Sequence, residues 1–424
     1  MKITLFAAGS RGDIQPCVAL ARGLQAAGDQ IRLAAPQDFA AFVQGHGVTF
    51  HPLRGDVQTI MASDTGRDFM ETGGTNPLKS IQAMRTLLGP IALQMAEDAY
   101  AACQEADAIV CLGVLGAFGE AIARALHRPL LNLEPTPLLP TRAFPAPSWP
   151  FQRNGGALHN RLSGVAMLGV IWLWYGPFVN AFRRRLGLPS ATAASFLHSL
   201  RTTPLIGAYS PTIIPHPPDW PPSVHITGYL FLDENAGWQP PPALHAFLDA
   251  GDPPVYIGFG SMAGRHPQVL ATLAYEALAL CGRRGLLLTG WGGLHARTAP
   301  DHVFVLDAAP HDWLFPRMAA FVHHGGAGTT AEGLRAGVPN VIAPFLFDQP
   351  FWGARIHAQG LGPAPIPQKK LTAARLAGAI HRAVTDAGMQ ARARTCGQVI
   401  RGEAGVDNAV AVVHRVLDKG RFPQ

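Results

Sequence analysis

The sequence predicts an α/β chain built from two similar halves, each a parallel sheet wound with helices, and three observations carry that expectation. At 424 residues the chain exceeds what one core usually serves, and 48% hydrophobic residues suffice to fill two. An apolar strand running into Gly-Ser occurs twice, from Ile3 to Gly9-Ser10 and from Val255 to Gly260-Ser261. Between the two openings prolines crowd residues 211–242, which marks a linker. The expected boundaries are residues 1–215 for the first domain, 216–242 for the linker, 243–400 for the second domain and 401–424 for a terminal helix.

In the first half, residues 3–8 read as a buried strand, Pro16 opens a helix that Gly28 stops, and residues 30–35 form a second strand. The loop between them lacks a full Gly-x-Gly-x-x-Gly, and no acidic residue ends the second strand, so a nicotinamide cofactor is not expected. What that loop offers is Asp13, a carboxylate at the end of the first strand that can cap the helix, serve as a general base, or do both. Residues 52–90 have weak periodicity and read as a long loop region. A helix over 87–104, a strand over 108–112, a helix over 116–126 and a strand over 130–133 follow, then a proline-rich loop over 134–150 that holds Glu134, a lesser rival for an acid/base role. Residues 162–182 are uncharged and long enough for a membrane span, but Gly164, Gly169, Gly176, Pro177 and Asn180 interrupt them. With Trp172, Trp174 and Tyr175 inside the stretch, a buried helix pair is expected, and an interfacial surface is the second choice.

The second half begins with a strand near 253–258, then Ser261 on a glycine-rich turn that either caps the helix at 267–281 or binds a ligand oxygen. Strands over 285–289 and 303–306 lead to the stretch around which the chain is organised. A strand ending at Val322 passes through His323-His324-Gly325-Gly326-Ala327-Gly328 into a helix expected near Thr329, which aims free backbone N–H groups at one point and makes an anion site. His324 can donate to a phosphate oxygen, Thr329 adds a hydroxyl, and Glu332 can accept from the two hydroxyls of a ribose. Asp348 and Gln349 follow the strand at 339–344, where a carboxylate beside an amide suits the hydroxyls of a sugar ring, although Asp348 can also cap the next helix. Adjacent histidines in a strand point to opposite faces, which argues against a zinc pair. A helix over 373–385 and an amphipathic helix over 406–417 close the chain.

Residues 323–339, His-His-Gly-Gly-Ala-Gly-Thr-Thr-Ala-Glu-Gly-Leu-Arg-Ala-Gly-Val-Pro, with Phe347-Asp348-Gln349-Pro350, closely resemble the donor-binding signature of the UDP-dependent glycosyltransferases of GT-B fold. The likeness is greatest to sterol 3-beta-glucosyltransferases and glycopeptide-antibiotic glycosyltransferases, and it covers nearly the whole chain. It implies two facing Rossmann-like domains with a cleft between them, an acceptor-binding first domain, a nucleotide-sugar-binding second domain and a final helix that crosses back to the first. It implies Asp13 as the base, in Gly12-Asp13-Ile14-Gln15-Pro16, where other members carry a histidine. The donor would lie against Ser261, Ala309, His324, Gly326, Ala327, Gly328, Thr329, Glu332, Asp348 and Gln349, with the base held by backbone groups around Ala309. Residues 52–90 would be part of the acceptor pocket, and the helix pair expected over 162–182 is read as lining an apolar acceptor site. Plant members begin the signature with a tryptophan that stacks on uracil, whereas this chain has Leu306; uracil and thymine both stay open, with Trp291 as a substitute face.

The resulting expectation is an inverting transfer of a hexose, glucose first, from a UDP-sugar to a hydroxyl of an apolar molecule such as a sterol, triterpenoid, polyketide or flavonoid. The UDP-sugar is a co-substrate, so no cofactor is expected, and no Asp-x-Asp cluster ends a strand, so metal independence is expected. A TDP-sugar donor, a nucleotide-sugar epimerase and a non-catalytic lipid-binding protein are the alternatives. The net charge of +6 without a dense Lys/Arg run suits an anionic donor or membrane surface and falls short of a nucleic-acid footprint. Five scattered cysteines without Cys-x-x-Cys spacing, and too short an apolar run before Arg11 for a signal peptide, fit a cytoplasmic protein with peripheral membrane contact as a further option.

Overall fold

Buried strands with apolar residues on both faces build two all-parallel sheets, because parallel pairing needs helical crossovers that then cover both faces. The computed structural model describes residues 1–55, 77–150, 152–233, 237–260, 267–289 and 299–419. The expectations resting on Ser261, on Trp291 and on residues 56–76 lie outside the described residues. The chain divides into two compact units, Met1–Leu232 with Glu403–Gln424, and Asp233–Gly402.

The first unit holds β1 (Lys2–Phe6), α1 (Arg11–Ala26), β2 (Gln30–Pro36), α2 (Ala40–Gly45), β3 (Thr49–Leu53), α3 (Pro77–Ala102), β4 (Ala108–Leu112), α4 (Gly116–Leu126), β5 (Leu130–Glu134), α5 (Ala157–Arg185), α6 (Ala193–Thr202), β6 (Leu205–Gly207) and β7 (Val224–Ile226). Its seven strands lie in the order β3-β2-β1-β4-β5-β6-β7. The winding reverses between β1 and β4, which pair in register from Ile3 opposite Ala108. Such a reversal is where open α/β sheets hold ligands, beyond the strands' carboxyl ends.

The second unit holds α7 (Pro242–Asp249), β8 (Val255–Gly258), α8 (Pro267–Leu280), β9 (Gly285–Leu288), β10 (Val303–Leu306), α9 (His311–Leu314), β11 (Ala320–His323), α10 (Ala327–Ala336), β12 (Asn340–Ile342), α11 (Gln349–Ala358), α12 (Ala373–Thr385) and α13 (Ala387–Arg401). Strand order is β10-β9-β8-β11-β12, so this winding reverses between β8 and β11. Alternation along each strand feeds two cores: Val255, Ile257 and Val322 on one face, Tyr256, Leu286 and Phe321 on the other. The last helix, α14 (Gly405–Lys419), belongs to the first unit, where Ala409, Val412, Val413 and Leu417 join the core beside Leu20 and Leu24.

Several elements differ from the sequence reading. Helix α1 starts at Arg11, five residues before Pro16, because Ser10 and Asp13 form a capping box upstream of the proline. Residues 77–90 are helical, not loop; Gly89 there admits the Phe178 ring, which would lie 2.3 Å from an added Cβ, so it marks a close approach and not a break. The expected helix pair over 162–182 is one continuous helix, α5, through Pro177. Helices α6, α7 and α13 have no counterpart in that reading.

Candidate functional site

The glycine-rich stretch folds as a strand, a turn and a helix N-terminus at the second sheet's winding reversal. Gly325 takes φ +92°, a left-handed conformation that side chains resist, and Gly326 is the N-cap of α10. The first helical hydrogen bond runs from the Thr330 N–H to the Gly326 carbonyl at 2.9 Å, so α10 begins two residues earlier than Thr329. The N–H groups of Ala327, Gly328 and Thr329 therefore lack intrahelical acceptors, and no side chain caps the N-terminus. Free donors and the positive end of the macrodipole together suit an anion.

His324 lies in front of that helix start between two glycines. A Cβ on Gly326 would stand 2.6 Å from His324 Nε2, and one on Gly260, at the end of β8, would stand 3.3 Å from its Cε1. The ring is half-buried, but Nδ1 is sealed from solvent and has no hydrogen-bond partner in the chain, as is the Thr330 hydroxyl nearby in sequence. Burial pushes the His324 pKa down to about 4, so the ring is neutral near pH 7 and can donate one N–H. Its neighbour His323 is fixed differently. His323 Nδ1 accepts from the Gly325 N–H at 3.1 Å, so Nε2 carries the proton and donates to Asn340 Oδ1 at 3.0 Å. Burial, aided by His324, holds its pKa down at about 3.

The loop after β12 meets this turn, since a Cβ on Gly325 would lie 3.2 Å from the Gln349 carbonyl oxygen. Gln349 Oε1 accepts from the Phe345 and Leu346 N–H groups at 2.8 and 3.0 Å, which braces the loop and leaves its amide NH2 as the group able to address a ligand. Asp348 makes no side-chain cap; Oδ2 accepts from the Trp352 indole at 2.8 Å. Phe347, just before it, is 49% exposed at φ +56°, a strained backbone for an aromatic residue. Glu332 is buried in α10, and its Oε2 lies 3.9 Å from Arg335, which also bridges Asp233 at 2.7 Å. Ala309 sits in the connection between β10 and α9, packed on the second core. The five parallel strands end along one carboxyl edge. Among the described residues no group of three His, Cys, Asp or Glu side chains is placed to hold a metal.

In the first unit, Asp13 occupies N3 of α1, at the other winding reversal. Its Oδ2 accepts from the Ser10 N–H at 2.7 Å and the Ser10 hydroxyl at 3.0 Å. Gly9, at φ +140°, lets the carboxylate close in, since a Cβ there would lie 2.4 Å from Oδ2. Two strands away, Glu134 is 1% exposed; its Oε1 has no partner in the chain, and burial pushes its pKa up to about 8. The contacts of Gly260 with His324, of Trp352 with Asp348 and of His323 with Asn340 are absent from the sequence reading; the i to i+4 spacing of Asp348 and Trp352 is the one available signal.

The comparisons with known proteins agree with this architecture. Residues 3–132 match the model of the glycosyltransferase family 28 N-terminal domain, and residues 293–405 match that of the erythromycin biosynthesis protein CIII-like C-terminal domain. The O-mycaminosyltylonolide 6-deoxyallosyltransferase of Streptomyces fradiae is 37% identical over 97% of both chains. Two sterol 3-beta-glucosyltransferases of Arabidopsis thaliana are 37% and 36% identical over 99% and 98% of this chain, which spans 66% and 68% of their lengths. The solved calicheamicin glycosyltransferase CalG4 superposes with a TM-score of 0.72 at 19% identity, covering 100% of this chain and 99% of that one. Two parallel sheets, each with one winding reversal, taken with these relatives, define a glycosyltransferase of GT-B fold. The chain belongs to the family-one glycosyltransferases of that fold.

Proposed function

We propose that the protein transfers glucose from UDP-glucose, with inversion and without metal, to a hydroxyl of an apolar small molecule, a sterol or triterpenoid first among them. The single observation that carries the donor half is the N-terminus of α10, uncapped, with the neutral His324 ring beside it and Nε2 of that ring toward Gly326. Three backbone donors and one imidazole N–H suit a diphosphate. They would stabilise charge as the bond from the anomeric carbon to the diphosphate breaks, a preorganised role that substitutes for a cation. Asp348 and the Gln349 amide suit the sugar hydroxyls, Glu332 the ribose and the backbone near Ala309 the nucleobase.

Asp13 is the base in this reading. Two hydrogen bonds from Ser10 hold its carboxylate as an acceptor. The acceptor hydroxyl gives its proton to Asp13 as its oxygen attacks the anomeric carbon from the side opposite the leaving diphosphate, and UDP departs with the bonding pair. The Arabidopsis relatives support the sterol acceptor and glucose; the sterol 3-beta-glucosyltransferase of Aspergillus fumigatus is matched over only 30% of its length. Five free cysteines suit a reducing, cytoplasmic setting.

A second donor reading is favoured by one relative and one residue. The Streptomyces fradiae enzyme transfers a 6-deoxyallosyl group, and Leu306 leaves the base without a stacking tryptophan at that position. Calorimetric titration with UDP, TDP and UDP-glucose, in EDTA and then with magnesium, separates the two. Metal-independent binding of UDP is expected; a preference for TDP points to deoxysugar donors, and no nucleotide binding sinks both.

A further inference from the structure

Helix α5 carries apolar side chains on both its inward and its outward face, yet the chain covers only the inward one. Over 29 residues it contains no Asp or Glu, and it is the one helix among the described residues long and apolar enough to cross a membrane, with a third of its most apolar window buried. A helix of that composition in a soluble protein is normally enclosed. Here Asn160, Ser163, Gly164, Leu168, Tyr175, Val179 and Phe182 turn inward, while Leu158, Leu162, Val165 and Leu173 are 72%, 56%, 41% and 57% exposed. Those four recur at i, i+4, i+7 and i+15 and form one stripe. With Val170 they make up five of the nine large exposed apolar side chains among the described residues.

The charged side chains on the helix and just before it are all arginines. Arg161 and Arg184 on the helix, and Arg153 just before it, are exposed. Arg85 of α3 reaches the Leu173 carbonyl, while Arg183 and Arg185 are bound to Glu120 and Glu97. Inward residues from Asn160 to Arg183 pin the helix to the first unit along its length, so it cannot stand upright across a bilayer.

We infer that the exposed face of α5 lies on an anionic lipid surface, with Leu158, Leu162, Val165 and Leu173 in the acyl boundary and the arginines at the headgroups. A protein partner would leave the exposed Arg153, Arg161 and Arg184 unexplained; phosphate-bearing headgroups answer both the apolar stripe and these arginines. The surface belongs to the first unit and the proposed donor site to the second, and its test reads partition, not turnover.

The test is co-sedimentation of the full chain with vesicles of phosphatidylcholine, with and without phosphatidylglycerol. Binding to the anionic vesicles, weakened by salt, is expected. The L162Q/L173Q pair should lower the partition coefficient by about tenfold or more, and R161Q/R184Q by about fivefold per arginine at low salt. Circular dichroism verifies folding; should the leucine pair misfold, L158Q in the first turn decides instead, with a fall of about threefold expected. Failure to bind anionic vesicles, equal binding to neutral ones, or binding untouched by these variants overturns the inference. So does a dimer in light scattering that the leucine changes dissociate while vesicles are ignored, which would give the face to a second copy.

Discussion

Trp352 donates its indole N–H to Asp348 Oδ2 at 2.8 Å from a position with no solvent exposure, one turn along α11. The carboxylate proposed to meet the sugar is therefore aimed by the hydrophobic core. Trp352→Phe keeps a buried aromatic ring, though a smaller one, and deletes the donor. A hydrogen bond to a charged group is worth about 1.5–3 kcal/mol, so the KM for UDP-glucose should rise about tenfold or more. The Kd for UDP alone should stay unchanged, since the diphosphate is assigned to α10. Equal losses for both ligands would show a collapsed loop, not a lost aim.

Gly326 tests the anion site sterically. Its φ of −61° suits any residue, so alanine is not strained there, but the new Cβ would lie 2.6 Å from His324 Nε2. Gly326→Ala should move the imidazole and weaken UDP by about tenfold, the scale of one lost charge-assisted hydrogen bond. The melting temperature should change little. Unaltered UDP affinity in the calorimeter would remove His324 from the phosphate role.

Asp13 carries a capping role and a proposed catalytic one, and two substitutions separate them. Asparagine keeps an oxygen for the Ser10 N–H, so Asp13→Asn should lower stability by less than about 1 kcal/mol, whereas Asp13→Ala should lose about that much. Both should lower kcat by about 10²–10⁴-fold, the range of a removed general base, with UDP binding retained. Turnover that tracks stability instead would leave Asp13 as a cap alone.

Glu134 predicts a pH dependence of folding. Its pKa rises from 4.5 to about 8 on folding because burial disfavours the carboxylate. Between those values the folded state holds a proton that the unfolded chain releases, so stability falls as pH rises and levels off above about 8. The contribution is on the order of several kcal/mol. Glu134→Gln should flatten this slope in urea unfolding from about pH 5 to 8, and an unchanged slope would show that the carboxyl ionises in place.

Local signals made much of this legible. Strands 108–112 and 303–306 and helices 116–126 and 373–385 fall where periodicity and capping put them, because each is a long apolar run or a sharply amphipathic turn. Starts of α1 and α10 shift because capping boxes and glycine turns act upstream of the proline or threonine that reads as the first helical residue. Helix α13 was hidden by its many arginines and its low apolar content, since its buried side is only Met389, Ala393, Cys396, Gly397 and Ile400.

By itself the sequence determined the parallel α/β class, the family and the chemical types at the site, since strand runs, glycine turns and the Asp348-Gln349 pair are local. Tertiary structure alone decided that Gly260 and Gly326 bracket His324, that Trp352 donates to Asp348, that Glu134 is buried and that α5 keeps one face bare. Those facts depend on which strand ends become neighbours and on what each side chain is sealed from, and neither is written in local spacing.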